Sequence, residues 1–280
     1  MASNVVAILG GRGMLGSDLA LACQKHGLVT KVLDLPEFDI TSNQHLTDAL
    51  KDVKAVVNCA AYTDVDKAES QPDLAYKINA EAIGKLGRVA KNIGIWVLHI
   101  STDFVFDGKS DRPYVETDSP NPINTYGASK LAGEQLLVES SCRHCIMRLE
   151  WTYGLHGNNF VTKLISRAKT TKWLKVVDDQ IGSPTATTEV AKVICKLLPE
   201  EPQDLLHFAS AGYVSRLGMA KFIFDKLGMS VDLSGCKTKD YVAAAVRPLN
   251  SCFDCTKISA LLDEPIEPWQ GPLERFLRQL

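Results

Sequence analysis

A glycine-rich turn between a short apolar strand and a helix constrains the fold of this 280-residue chain more than any other feature. Residues 5–9 are predicted to form the strand and residues 14–26 the helix, with glycine at positions 10, 11, 13 and 16. Glycine permits a tight turn there, lets the backbone approach a pyrophosphate and lets the helix pack on the strand. Free amides at the helix start add partial positive charge. The turn therefore predicts a dinucleotide site.

Short apolar strands and helical segments alternate through the first half of the chain. Further strands are predicted at residues 29–34, 55–58, 96–100 and 145–149. The clearest helical periodicity runs from residue 75 to residue 91, and another helix is expected after Pro122. This alternation predicts a parallel sheet that is covered by helices on both faces.

Beyond Trp151 the alternation of strands and helices becomes less regular, and helices are expected near residues 159–170, 187–198 and 215–227. We therefore expect an α/β fold, a Rossmann-type doubly wound parallel sheet with a smaller, interleaved C-terminal substrate domain. The dinucleotide-binding domain would comprise residues 1–148 and parts of about 183–208. The substrate-binding domain would comprise residues 149–182 and 209–280.

Tyr126 and Lys130 are the strongest candidates for chemistry. They lie four residues apart on a predicted helix, so their side chains share one face. A phenol titrates near ~10, and a neighbouring ammonium would stabilise the phenolate and lower that pKa. Thr102 follows the fourth predicted strand, and its hydroxyl could hydrogen-bond a carbonyl oxygen as negative charge develops there. The small residues at 58–63, after the third strand, would let the chain run alongside a cofactor.

Two residues point to opposite cofactor preferences. Asp34 ends the second predicted strand, eighteen residues past Gly16, where a carboxylate accepts hydrogen bonds from ribose hydroxyls and favours NAD. Arg12 lies in the glycine turn, where a guanidinium could meet a 2′-phosphate and favour NADP. The sequence leaves the choice between NADH and NADPH open.

Charge and composition exclude several classes of protein. The chain has 31 basic and 33 acidic residues, so no nucleic-acid partner is expected. No apolar stretch approaches the ~20 residues that span a bilayer, and the first apolar run is too short for a signal core. A cytoplasmic protein without a membrane partner is therefore expected. Cys142 with Cys145 and Cys252 with Cys255 form two C-x-x-C pairs, but they lie over a hundred residues apart, and we expect reduced thiols and no metal.

Several motifs together resemble the dTDP-4-dehydrorhamnose reductase family of the extended short-chain dehydrogenase/reductase superfamily. They are G-G-R-G-M-L-G from residue 10, V-N-C-A-A-Y-T-D-V-D-K-A-E from 57, S-T-D-F-V-F-D-G from 101, Y-G-A-S-K-L-A-G-E from 126, D-D-Q-I-G-S-P-T from 178 and R-P-L-N-S from 247. The resemblance runs nearly end to end. It implies reduction of the keto group of a dTDP-linked 4-keto-6-deoxysugar by NADPH or NADH, with a homodimer as one possible assembly.

The resemblance also implies a role for individual residues. Thr102, Tyr126 and Lys130 would form the catalytic set, with Tyr126 protonating the alkoxide. The residues that would bind the cofactor are Gly10, Arg12, Gly13, Met14, Leu15, Gly16, Asp34, Asp39, Ile40, Ala60, Ala61, Tyr62 and Lys67. The residues that would bind the substrate are Asp103, Trp151, Gln180 and Arg247.

Two departures from the family pattern leave the specific sugar open. Leu149 and Glu150 follow Arg148 where the family usually has small or hydroxyl residues, and the stretch from Cys252 to Cys255 is also atypical. The alternatives are a reductase of another nucleotide-linked 4-ketosugar, or a non-catalytic regulatory subunit like the beta subunit of methionine adenosyltransferase. A dehydratase is disfavoured, because Phe104 stands where that class has a glutamate.

Overall fold

A six-stranded parallel sheet forms the centre of the protein in the computed structural model, which describes residues 4–280. Its strands in chain order are β1 (Val5–Leu9), β2 (Val29–Leu33), β3 (Ala55–Asn58), β4 (Trp96–Thr102), β5 (His144–Leu149) and β10 (Leu205–Phe208). Across the sheet the order is β10-β5-β4-β3-β1-β2, so the chain turns in opposite directions on the two sides of β1. A crevice opens beyond the carboxyl ends of the strands at such a reversal, and ligands bind there in open α/β sheets.

The sheet is buried on both faces except at the edge strand β2, and successive side chains of each strand point to opposite sides. In β1, Val6 and Ile8 pack in one apolar cluster and Ala7 and Leu9 in another. The helices of this part of the chain are α1 (Met14–Lys25), α2 (Asn43–Ala49), α3 (Val65–Ser70), α4 (Pro72–Tyr76), α5 (Ala82–Ile93), α6 (Thr125–Glu139) and α8 (Thr187–Glu200). Helix α1 packs against α8 over the first cluster, and α5 packs against α6 over the second.

A separate apolar cluster gathers around Trp151, Tyr153 and Trp269 in the later part of the chain. The elements of this later part are β6 (Thr152–Tyr153), α7 (Phe160–Ala168), β7 (Trp173–Val177), β8 (Ile181–Gly182), β9 (Thr185–Ala186), β11 (Val214–Ser215), α9 (Arg216–Lys226), β12 (Asp232–Cys236), α10 (Thr256–Ser259) and α11 (Gln270–Leu277). Of these, α10 packs in the first cluster of the sheet through Ile258. The strands pair in twos, as β6 with β9, β7 with β12 and β8 with β11. Strands β6, β8, β9 and β11 have only two residues each, which is too few to show an alternating pattern in the sequence. The five-residue strands β7 and β12 were also not predicted.

The structure differs from the predicted boundaries at two places near the crevice. The fourth strand continues to Thr102, because Ser101 and Thr102 pair with Arg148 and Leu149 of β5. The helix expected over residues 75–91 is divided by a π-helical turn at Lys77–Glu81. Such a turn inserts a residue into the helical repeat. It carries the buried Asn79, whose side chain accepts a hydrogen bond from the amide of Tyr62 and donates to Ser129.

Within residues 4–280, no helix is both long enough and apolar enough to cross a membrane. The cysteines of the two C-x-x-C pairs are free thiols. Cys145 lies in β5, and the Cys255 thiol donates to the carbonyl of Ala209.

Candidate active site

The glycine turn forms a cradle at the end of β1. Gly10 has a φ of +70°, and a Cβ placed on it would lie 2.7 Å from the backbone of Ala60. Any side chain would therefore displace the loop after β3. Among the described residues, no side chain caps the start of α1, so the amides of Met14, Leu15 and Gly16 face the crevice without a side-chain acceptor. Free helix amides beside a glycine turn fit a pyrophosphate group.

The end of β2 places Arg12 and Asp34 side by side. The Asp34 carboxylate accepts the amide of Arg12 at 2.8 Å through Oδ2 and the amide of Leu35 at 2.8 Å through Oδ1. The Arg12 guanidinium donates to the carbonyl of Leu35 at 2.9 Å and to Glu37 at 2.8 Å. Glu37 was not among the sequence candidates, and no local pattern marks it.

The remaining cofactor candidates lie on the loops that flank this cradle. Ala60, Ala61 and Tyr62 follow β3, and the amide of Ala60 donates to Asn58 at 3.2 Å. Ile40 is buried, and the Asp39 carboxylate accepts the amide of Thr41. Lys67 instead forms a surface ion pair with Asp64 at 3.1 Å, and 69% of its side chain is exposed.

The structure places Thr102, Tyr126 and Lys130 together where β4 meets α6. Asn124 begins α6 by accepting the amide of Gly127 at 2.8 Å, which fixes the turn that carries Tyr126. The Thr102 hydroxyl lies next to the Tyr126 phenol, close enough to influence its pKa. The Lys130 ammonium donates to the carbonyl of Ile100 at 2.7 Å.

The expected depression of the Tyr126 pKa is wrong for the ligand-free protein. Burial raises the pKa of Tyr126 to about 12, although the neighbouring Thr102 hydroxyl acts in the opposite direction. The Lys130 ammonium turns to the Ile100 carbonyl of β4, and its charge is not among the groups that set the phenol's pKa. Burial in turn lowers the pKa of Lys130 to about 8.

The aspartate after Thr102 is buried, and each of its carboxylate oxygens accepts a hydrogen bond. Asp103 Oδ1 accepts the Thr102 hydroxyl at 3.0 Å, and Oδ2 accepts the Ser251 hydroxyl at 2.5 Å. Burial raises the pKa of Asp103 to about 6. Ser251 was not predicted as a site residue.

A cavity of about 860 Å³ lies between the two parts of the chain. Its wall includes the predicted residues Gln180 and Arg247 and the unpredicted residues Phe104 and Arg216. Phe104 packs edge-on against Tyr126 with ring centroids 5.5 Å apart, so the cavity adjoins the catalytic candidates. Further basic residues on the wall are Lys163, Arg167, Lys175 and Lys239. This excess of cations suits an anionic ligand.

Trp151 lies behind the cavity wall rather than on it. Its ring is buried, and the Arg216 guanidinium stacks over it at 3.5 Å from the ring centroid. The backbone of Trp151 has a φ of +45°, in the left-handed region that bulky residues rarely adopt. Asp103 is also absent from the wall, so the structure brings only Gln180 and Arg247 of the four substrate candidates directly to the cavity.

The position of Glu150 in the fold explains why this residue departs from the family pattern. Its carboxylate is completely buried and accepts the amides of Ser183 at 2.8 Å and Phe253 at 3.3 Å. Glu150 therefore joins the end of β5 to two later segments of the chain. Burial raises its pKa well above the usual value, and the nearby Asp103 acts in the same direction.

Arg247 is held by an acidic residue from the other side of the cavity. Its guanidinium forms two hydrogen bonds with the Asp66 carboxylate of α3, both 2.7 Å long. Asp66 also accepts the amide of Ala245 at 3.0 Å. The two side chains close one side of the cavity, and an anionic ligand there would compete with Asp66 for the guanidinium.

This ion pair should be visible in the pH dependence of stability. Arg247 holds the pKa of Asp66 at about 2, below the ~3.9 of an unfolded aspartate. A depressed pKa stabilises the fold above ~4, and that contribution is lost as the pH falls towards ~2. We expect the unfolding free energies of wild type and Asp66→Asn, measured in urea, to converge across this range. A difference that stays constant with pH would contradict this, and Asp111→Asn on an exposed loop is the control.

Comparison with known proteins places this architecture in a family. The model of the RmlD substrate binding domain matches residues 4–280. A protein of Aggregatibacter actinomycetemcomitans named dTDP-4-dehydrorhamnose reductase is 36% identical over 284 residues, covering 96% of this chain and 97% of that protein.

Two solved structures agree in fold over nearly the whole chain. The dTDP-4-dehydrorhamnose reductase of Bacillus anthracis, in complex with NADP, has a TM-score of 0.95 and 35% identity, covering 99% of this chain and 100% of that one. The Clostridium acetobutylicum enzyme has a TM-score of 0.94 and 34% identity, covering 98% of this chain and 99% of that one. The chain therefore belongs to the RmlD substrate-binding-domain family, and these dTDP-4-dehydrorhamnose reductases are its relatives.

Proposed function

We propose that this protein is an NAD(P)H-dependent oxidoreductase that reduces the 4-keto group of dTDP-4-dehydro-L-rhamnose to give dTDP-L-rhamnose. The observation that carries the proposal is the grouping of Thr102, Tyr126 and Lys130 beside a glycine cradle and a cationic cavity. Membership of a family whose curated relatives carry this reductase name supports it.

The cofactor would lie along the crevice at the carboxyl ends of the strands. The turn at Gly10, Gly13 and Gly16 and the amides of Met14 and Leu15 would hold its pyrophosphate. Arg12 with Asp34 would meet the adenosine ribose, and Asp39, Ile40, Ala60, Ala61, Tyr62 and Lys67 would flank the cofactor. When bound, the reduced nicotinamide supplies a hydride to the keto carbon.

The residues of this chain would stabilise and protonate the oxygen of the ketone. Thr102 hydrogen-bonds that oxygen as it gains charge, and Tyr126 donates the proton that converts the alkoxide to the alcohol. Lys130 would contribute positive charge next to this site and would hold the nicotinamide ribose. Its pKa of about 8 keeps most of the ammonium charged at neutral pH.

The substrate would occupy the cationic cavity. Arg247 and Gln180 would hold the nucleotide diphosphate, since a guanidinium fork suits phosphate oxygens. Trp151 would support the sugar pocket through the stacked Arg216, and Asp103 would border it through Thr102.

The organisation of the protein follows from the same proposal. Residues 1–148 with parts of about 183–208 would form the dinucleotide-binding domain, and residues 149–182 with 209–280 the substrate-binding domain. The inclusion of β10 in the first sheet and the separate cluster around Trp151 support this division. We further propose that the protein works in the cytoplasm, where its nucleotide-linked substrate and reduced cofactor would be available. A homodimer is the assembly to test by sedimentation velocity.

The direct test generates dTDP-4-dehydro-L-rhamnose in situ and follows NADPH and NADH oxidation, with the product identified by mass spectrometry and NMR. Rapid turnover to dTDP-L-rhamnose is expected. No turnover with either cofactor, despite measurable cofactor binding, would overturn the proposal. Such an outcome would favour another ketosugar or a binding subunit that co-purifies with a partner.

Arg12 should influence the choice between the two cofactors. A charge-assisted contact to a 2′-phosphate contributes about 1.5–3 kcal/mol, which corresponds to about tenfold or more in affinity. Arg12→Ala should therefore lower kcat/KM for NADPH at least about tenfold and alter that for NADH much less.

Glu37→Gln is the matched variant for this comparison. It removes the carboxylate that pairs with Arg12 at 2.8 Å, so it should shift the preference towards NADPH. Equal effects of Arg12→Ala on both cofactors would show that this guanidinium does not reach the 2′-phosphate.

A further inference from the structure

In this structure the Thr102 hydroxyl donates its hydrogen bond to Asp103. Thr102 Oγ1 donates to Asp103 Oδ1 at 3.0 Å and accepts the amide of Phe104 at 3.2 Å. A hydroxyl has a single proton to donate. While Asp103 is ionised, Thr102 can therefore only accept a hydrogen bond from Tyr126, and it has no proton to offer a ketone oxygen.

Protonation of Asp103 would reverse this arrangement. A neutral carboxylic acid carries its own O–H donor, which could donate to Thr102 Oγ1 across the same contact. The Thr102 proton would then be free to turn towards Tyr126 and the ketone oxygen. Ser251, which donates to Asp103 Oδ2 at 2.5 Å, holds the second oxygen in place in both states.

We propose that Asp103 is a positioning residue that sets the direction in which the Thr102 hydroxyl donates, so that ketone reduction is fastest when Asp103 carries a proton. The inference rests on the proposed function, because it requires a carbonyl oxygen that gains negative charge. Thr102 donates a hydrogen bond to that oxygen, and the proton of Tyr126 is transferred to it. Asp103 retains its own proton throughout, so the transferred proton comes from Tyr126 alone.

The surroundings of Asp103 support a switch that operates in a physiological pH range. Asp103 is 3% exposed, and its burial raises the pKa to about 6. The groups that oppose this rise are the hydroxyls of Ser251 and Thr102 and the charge of Arg216 on α9. The other titratable groups that face it are Glu150 at the end of β5 and Tyr126 on α6.

Carbon-13 NMR of the ligand-free protein tests the hydrogen bonds without any turnover. The carboxyl signal of Asp103, in protein labelled at aspartate carboxyl carbons, is identified by its loss in Asp103→Asn. We expect it to titrate near pH 6, and to move to higher pH in Thr102→Val and Ser251→Ala, because each hydroxyl stabilises the ionised form. A titration below about pH 4, as for a solvated aspartate, would overturn the proposal.

The pH dependence of kcat tests the direction of donation. In wild type, kcat should fall at least about fivefold as the pH rises from about 5 to about 8. In Asp103→Asn it should stay within about twofold, because the amide can donate to Thr102 at every pH. Asp107→Asn is the matched control, since Asp107 lies on the same loop but bonds Tyr114 and Asn121, and it should retain the wild-type profile.

The outcomes distinguish this inference from the proposed function. Failure of the wild type to reduce the ketosugar counts against the proposed function, and the NMR titration then still tests the hydrogen bonds of Asp103 that the inference requires. Retention of the wild-type profile by Asp103→Asn overturns the inference alone. Circular dichroism and NADPH binding check the fold of each variant. If Asp103→Asn does not fold, Ser251→Ala should move the kinetic profile to higher pH by the same amount as the NMR titration.

Discussion

Tyr126→Phe is expected to lower kcat for ketosugar reduction by about a hundredfold or more, because a positioned general acid contributes about 10²–10⁴-fold. The phenylalanine keeps the ring that packs edge-on against Phe104 at 5.5 Å. Only the hydroxyl that Thr102 contacts is lost, so the pocket should keep its shape. NADPH binding, measured by fluorescence titration, should change by no more than about twofold, since the lost group acts on the proton transfer.

A control on another tyrosine separates the chemistry from the loss of a hydroxyl in general. Tyr76 lies on α4 and is 38% exposed, so Tyr76→Phe should retain wild-type turnover. If Tyr126→Phe keeps more than about a tenth of wild-type kcat with the cofactor saturating, Tyr126 is not the proton donor. The high pKa of the phenol, about 12 in the ligand-free protein, means that it is fully protonated at neutral pH and ready to donate.

Arg148→Ala should lower the free energy of unfolding more than the replacement of an exposed ion-pair residue does. Arg148 in β5 forms a buried, bidentate ion pair with Glu134 of α6. Its Nε donates to Oε1 at 2.9 Å and its Nη2 donates to Oε2 at 2.6 Å. Their side chains are only 3% and 6% exposed. Arg148→Ala leaves the carboxylate buried with the Ser101 hydroxyl as its remaining hydrogen-bond donor, and breaking such a pair costs about 3–5 kcal/mol. Urea unfolding followed by circular dichroism measures this loss.

An exposed ion pair in the same protein provides the comparison. Arg143 bonds Glu201 at 2.6 Å, but half of the arginine side chain is exposed. Arg143→Ala should therefore cost about 1 kcal/mol or less. The double variant Arg148→Met with Glu134→Leu should be more stable than Arg148→Ala, because no charge is left buried. A loss below about 1 kcal/mol in Arg148→Ala would mean that water reaches the remaining carboxylate.

The repeating parts of the fold were predictable from the sequence because each strand and helix carries its own periodic signal. Strands β1 and β3 matched their predicted boundaries, and α8 began where it was expected. The paired strands β6 with β9 and β8 with β11 were missed, since two residues are too few to show an alternation. The π-helical turn was missed because the local sequence shows no break in periodicity there, and the contacts that Asn79 makes from it are with a distant loop and helix.

The catalytic residues were predictable because they lie in compact motifs, whereas their partners lie far away in the sequence. Ser251 meets Asp103 across 148 positions, and Arg216 reaches Trp151 only after the chain has returned to the cavity. The pKa of Tyr126 was predicted in the wrong direction. A spacing of four residues predicts that Tyr126 and Lys130 share one face of a helix. It does not predict that the Lys130 ammonium donates to the carbonyl of Ile100 on β4.

The late segment at residues 250–253 also has a consequence for how the protein is made. Ser251 donates to Asp103, and the amide of Phe253 donates to Glu150, so this segment completes hydrogen bonds of both buried acids. During translation, a nascent chain that ends before Asn250 already contains the glycine cradle, Thr102, Tyr126 and Lys130. The second donor to Asp103 is therefore synthesised only after every residue of the cradle and of the candidate catalytic set, so the surroundings of Asp103 are completed late.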